Sequence, residues 1–167
     1  MILDVFAVSL LLSLVFKRRI YHLHETNIKL VYLFPLPFVL QFLPIQNRIL
    51  MMVVSYSLLF LLLSINHHLE GFKLIILGSA LNFLVILLGG GRMPVYGPLA
   101  NRMGLMPSIK HILLEKFTPI LLIGDIIPAY TPWGRKFLIS IGDVLVYAGL
   151  LIFMLSKPDR SSFKRTL

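Results

Sequence analysis

Five apolar runs separated by short polar stretches organise the chain. They cover residues 2–16, 28–43, 49–65, 72–88 and 137–155, and few of their positions carry charge. A helix needs roughly 20 apolar residues to cross the hydrocarbon of a bilayer. Several runs fall short of that, but flanking Lys and Arg side chains can reach the interface through their aliphatic stems. The pattern therefore predicts five membrane helices. Pro35 and Pro37 lie inside the second run and predict a kink, because each removes a backbone donor and frees an earlier carbonyl.

Residues 89–136 fit neither a polar loop nor a long helix. Ser108 is placed to cap a short helix through Lys116, with Ile109, Ile112 and Leu113 on one face and Lys110, His111 and Glu115 on the other. That is the pattern of an interfacial helix. Residues 118–129 are apolar but are broken by Pro119, Gly124 and Pro128, which predicts a re-entrant segment or, as the alternative, a sixth span; the basic tail after the last run favours the former. The expected fold is thus an all-α, polytopic membrane helix bundle: about five transmembrane helices plus a re-entrant or interfacial segment at 89–136. It forms a single integral membrane domain over 1–167. Gly78, Ser79 and Ala80, with Gly142, Ala148 and Gly149, are the small residues expected where helices touch.

Composition strengthens the membrane reading. Hydrophobic residues make up 57% of the chain and charged residues 14%, against about 25% charged in soluble domains. Mean hydropathy is +0.88. The formal charge of +9 would suggest nucleic acid in a soluble protein. Here the basic residues have no aromatic interleaving, so lipid bilayer and anionic lipid headgroups are the expected partners, and nucleic acid is not. Charge placement predicts orientation. Lys17, Arg18 and Arg19 follow the first run, and Lys157, Arg160, Lys164 and Arg165 follow the last. This places the N-terminus outside the cell membrane and the 157–167 tail in the cytoplasm. The absence of cysteine excludes disulfides, thiolate metal sites and a cysteine nucleophile.

Three motifs interrupt the apolar background: Gly-Gly-Gly-Arg-Met-Pro at 89–94, Ile-Gly-Asp-Ile-Ile-Pro at 123–128 and Ser-Ile-Gly-Asp-Val at 140–144. Charge at membrane depth is expensive and is usually retained for function. In the five-span arrangement Arg92, Asn82, Asp125 and Asp143 converge in the outer half of the bundle, either as a ligand site or as an Arg–Asp clamp. Gly89, Gly90 and Gly91 could form an anion-binding nest of backbone N–H groups. His22 and His24, with His67 and His68, give a faint metal-ligand signal in two loops. Met93, Met103 and Met106 near His111 give a fainter one for Cu(I). No nucleophile elbow or phosphate-binding loop occurs, and no cofactor is implied.

The three motifs, in this order, resemble an uncharacterised family of small bacterial multi-pass membrane proteins, a domain of unknown function. The pattern of that family has Asn before the paired glycines, where this chain has Gly89. The resemblance implies a bacterial inner-membrane protein and no established activity. The functional expectation is a membrane binding or transport component with an Arg/Asp polar site. The alternatives are a membrane-embedded hydrolase or lipid-modifying enzyme using paired Asp, and a non-catalytic assembly subunit.

Overall fold

A computed structural model describes residues 2–15, 28–43, 46–106 and 108–156. Helix α1 covers Ile2–Val15; a short 3-10 turn at Val31–Leu33 leads into α2, Pro35–Leu40. Helices α3, Arg48–Ile65, and α4, Phe72–Leu88, follow. Then come β1 (Met93–Tyr96), α5 (Gly97–Met103), β2 (His111–Leu114), a 3-10 turn at Pro119–Leu122, β3 (Ile127–Tyr130), β4 (Lys136–Ile139) and α6 (Ile141–Leu155).

The all-α polytopic expectation is overturned. Two small sheets accompany the helices: β1 pairs in parallel with β2, and β3 pairs antiparallel with β4. Among the described residues only α3, with 18 residues, is long and apolar enough to cross a membrane by length and composition. Helices α4 and α6 have 17 and 15 residues. The sequence-predicted runs were broken for local reasons. Pro35 and Pro37 leave α2 only six residues long. The start of the last run is taken by β4, so α6 begins only after its Ser140 cap. The interfacial helix expected from Ser108 does not form. Two turns of helix carry a nucleation cost that their own few bonds barely offset, whereas His111–Leu114 gains a ladder with β1. The breaks expected at Pro119, Gly124 and Pro128 are present: the backbone makes a short 3-10 turn and a strand, and no straight helix runs through the segment.

Helix positions were more legible than their number of crossings. The most extensive helix contact joins α4 and α6, which lie antiparallel through glycine pairs seven residues apart. A Cβ added to Gly78 would collide with the Gly142 carbonyl, and one added to Gly71 would collide with that of Gly149. Backbone thus meets backbone where larger residues would hold the helices apart. Around this seam Met51, Met52, Tyr56, Leu59, Leu63, Phe72, Val85 and Phe153 form the buried core. Helix α1 packs on α6, and its buried Asp4 accepts hydrogen bonds from Trp133 Nε1 at 2.8 Å and Arg135 at 3.0 Å in the β3–β4 turn.

Candidate functional site

The site begins at the N-terminus of α6. Ser140 Oγ accepts from the Asp143 backbone N–H at 2.9 Å, and Asp143 Oδ2 accepts from the Ser140 N–H at 3.2 Å. This reciprocal capping box satisfies two donors that a helix start otherwise leaves open, and it sets the carboxylate at the positive end of the helix dipole. Asn82 of α4 closes the cluster. Its amide donates to Asp143 Oδ1 at 2.7 Å, and its carbonyl accepts from Ser140 Oγ at 2.6 Å. The approach requires Gly142, since a Cβ there would collide with Asn82 Oδ1.

Asp125 is placed by a different device. Its N–H donates to the Pro94 carbonyl at 2.9 Å, and its carbonyl accepts from the Tyr96 N–H at 3.2 Å. Strand β1 therefore has β2 on one edge and Asp125 bridged to Val95 on the other. Met93 pairs with His111, and alternate residues of a strand share a face. His111 and Asp125 thus flank β1 on one side, with His111 Nε2 3.8 Å from Asp125 Oδ2. Gly124 makes room, because a Cβ there would sit 2.7 Å from the Pro94 carbonyl oxygen.

Burial decides the charge of this pair. Asp125 is 5% exposed, and its Oδ1 has no hydrogen-bond partner. Desolvation, and secondarily the Asp143 charge, pushes its carboxyl up to about 8. Burial, and secondarily Lys110, lowers the His111 imidazole below its ordinary value. Near neutral pH both groups are uncharged, so the contact is not an ion pair. The Ser108 N–H, which can only donate, lies 3.3 Å from His111 Nδ1. The ring proton is therefore on Nε2, facing Asp125.

Two cavities meet at these residues. The larger, about 690 Å³, has apolar walls that include Phe34, Leu59, Phe72, Leu150 and Phe153, and a polar end at Asn82, Asp143, Lys110 and His111. The smaller, about 430 Å³, contains Asp125 and Lys136. His111, Asp143 and Tyr147 line both.

Of the residues singled out in the sequence, Asn82 and Asp143 are in direct contact, and Asp125 shares a cavity with Asp143. Arg92 is elsewhere. It is exposed, forms no ion pair with either acid among the described residues, and lines a separate recess of about 660 Å³ with Arg48, Asn47, Gly89 and Gly90. The glycine nest is not available either. Gly90 N–H donates to Leu87 and Gly91 N–H to Ile86, while Gly89 N–H donates to Val85. These bonds, with Gly90 at φ 66°, make a Schellman cap on α4. His67 and His68 are exposed, and among the described residues no group of three His, Cys, Asp or Glu could hold a metal ion. His22 and His24 lie outside the described residues. Met93 and Met103 are buried, whereas Met106 is 95% exposed. Sequence reasoning missed His111 as the neighbour of Asp125, because the pairing depends on strand register. The Ser140–Asp143 box was legible as Ser-x-x-Asp before an apolar run.

A protein of Thermotoga maritima described only as uncharacterised is 41% identical over 158 residues, which cover 95% of this chain and 92% of that one. No solved structure matches. Residues 25–155, which hold all three motifs and every lining residue of both cavities, match the model of the Family of unknown function (DUF5317), and the chain belongs to that family.

Proposed function

We propose that the protein is a membrane-associated binding protein for an amphipathic small molecule. The apolar part of the ligand occupies the 690 Å³ cavity, and its polar end meets Asn82, Asp143, Lys110 and His111. The observation that carries the reading is the lining of that cavity: mostly apolar side chains, among them Phe34, Leu59, Phe72, Leu150 and Phe153, with a minority of hydrogen-bonding groups that includes Asn82, Asp143, Lys110 and His111. Such a layout is typical of small-molecule sites, where a few polar groups fix orientation. Membrane association is supported by the outward stripes of α3 (Leu50, Val54, Leu61) and α4 (Leu77, Leu84, Leu88), all about half exposed. Their spacing puts each set on one helix face, and water is a poor solvent for so much apolar surface.

The test is native mass spectrometry of the detergent-solubilised full chain with dodecylamine, dodecanol and dodecanoic acid as probes. Wild type should retain at least one of the three. Leu150→Trp, which fills the cavity from α6, should weaken that binding by about tenfold or more, equivalent to about 1.4 kcal/mol. Undiminished binding by a folded Leu150→Trp protein overturns the reading.

A second reading is favoured by one observation, the raised carboxyl of Asp125 beside Asp143. Two acids whose environments separate their protonation can divide the roles of general acid and general base. In a hydrolase Asp125 would donate the proton and Asp143 would accept one. Turnover of an amphiphilic ester that disappears in Asp125→Asn, with probe binding retained, would select it over binding alone.

A further inference from the structure

We propose that the recess between the start of α3 and the end of α4 binds a phosphate group, held by the guanidinium forks of Arg48 and Arg92. The recess is about 660 Å³ and is lined by both arginines together with Asn47, Gly90, Ile49 and Ile112. It is separate from the amphiphile cavity and does not depend on what that cavity holds.

Two like charges do not share a recess without cause. The cause in the backbone is Gly91, whose missing side chain lets the end of α4 lie against the first turn of α3. A Cβ there would be 3.0 Å from the Arg48 Cβ and 3.2 Å from the Ile49 nitrogen. The close approach brings Arg92 beside Arg48. Among the described residues neither arginine has an acidic partner, and Arg48 Nε is buried with no hydrogen-bond partner. Repulsion within the cluster is relieved by a bound anion.

The chemistry favours phosphate. Arginine presents paired N–H donors that match two oxygens of one oxyanion, and two such forks suit a phosphate with its several acceptor oxygens. The neighbouring surface is apolar: Ile49 and Leu50 are exposed at 46% and 56%, and Phe42 at 75%. A phosphate that carries an acyl chain and a free phosphate ion would both satisfy the forks.

The experiment uses the purified full chain in a neutral detergent and follows thermal unfolding. The probes are inorganic phosphate, dihexanoyl phosphatidylglycerol and dihexanoyl phosphatidylcholine, with sodium chloride at matched ionic strength as the control. At about a hundredfold excess over Kd, a phosphate probe should raise the unfolding midpoint of wild type by about 5 °C. A shift from inorganic phosphate identifies free phosphate as sufficient; a shift from phosphatidylglycerol alone identifies a lipid headgroup. Arg92→Gln should remove most of the shift without lowering the ligand-free midpoint, because Arg92 is exposed and clamps no acid. Arg48→Gln combined with Arg92→Gln should remove all of it. Lys73→Gln, an exposed charge at the opposite end of α4, should keep it. Leu150→Trp should also keep it, which separates this site from the amphiphile cavity. The proposal is overturned if no phosphate probe exceeds chloride, or if Arg92→Gln responds as wild type does.

Discussion

At the scale of single residues, environment rather than residue type sets the chemistry. Asp125 and Asp143 are both preceded by glycine in the sequence, yet their surroundings differ. Asp143 has a helix N-terminus, a capping serine and an asparagine amide. Asp125 has a backbone bridge, a neutral imidazole and one oxygen with no partner. Its carboxyl binds a proton more tightly folded than unfolded, so folding becomes less favourable as pH rises from its unfolded value to about 8. His111 acts in the opposite sense. Its lowered imidazole favours the folded state above its unfolded value and loses that contribution as pH falls. The two effects oppose each other in mildly acidic solution, and from about neutral to pH 8 the Asp125 effect is no longer offset by His111. Denaturant unfolding of wild type should therefore show stability falling across that range. Asp125→Asn should flatten the profile there, and an unchanged slope would place the titrating group elsewhere.

Among the secondary-structure elements, glycine serves two separate purposes that a pair of substitutions distinguishes. Gly90 has φ 66° and open space around its Cβ position. Gly90→Ala meets only backbone strain, about 1 kcal/mol. Gly78 has an ordinary helical backbone, but its Cβ position is already filled by the Gly142 carbonyl. Gly78→Ala must push α4 and α6 apart, at about 1–3 kcal/mol of overpacking, and it also displaces Asn82 from the Ser140–Asp143 cap. Thermal unfolding should rank Gly78→Ala well below Gly90→Ala. The reverse order would mean that the helix seam is looser than the glycine contacts indicate.

For the whole molecule, the long-range ties matter most. Asp4 joins the first helix to the β3–β4 turn across more than a hundred residues of chain, through Trp133 and Arg135. Arg135 is 60% exposed, so its ion pair is screened and contributes little by itself. The hydrogen bond from the indole is the better reporter, because the chain has one tryptophan. Asp4→Ala should shift Trp133 emission to longer wavelength as the turn loosens, with the α4–α6 seam left intact. Unchanged emission would show that other contacts hold the turn in place.

The sequence by itself determined where the helices lie. Runs of apolar residues and their glycines mark α1, α3, α4 and α6 to within a few residues, because helix formation depends on local spacing and on the side chains available to pack. It also marked Gly78, Gly142 and Gly149 as small residues where helices touch, because a glycine in an apolar helix permits close approach whatever its partner. It did not determine the two sheets or the position of Arg92. A four-residue strand carries little local signal and gains its stability from a partner elsewhere in the chain. His111 meets Asp125 only because both flank β1 in one register. The five-span arrangement sets Arg92 with the acids by depth along the bundle. Tertiary structure instead turned the chain at Gly90 and Gly91 and set Arg92 beside Arg48. The direction in which a chain leaves a helix depends on backbone torsions and on what packs against the turn, and residue types alone do not specify that.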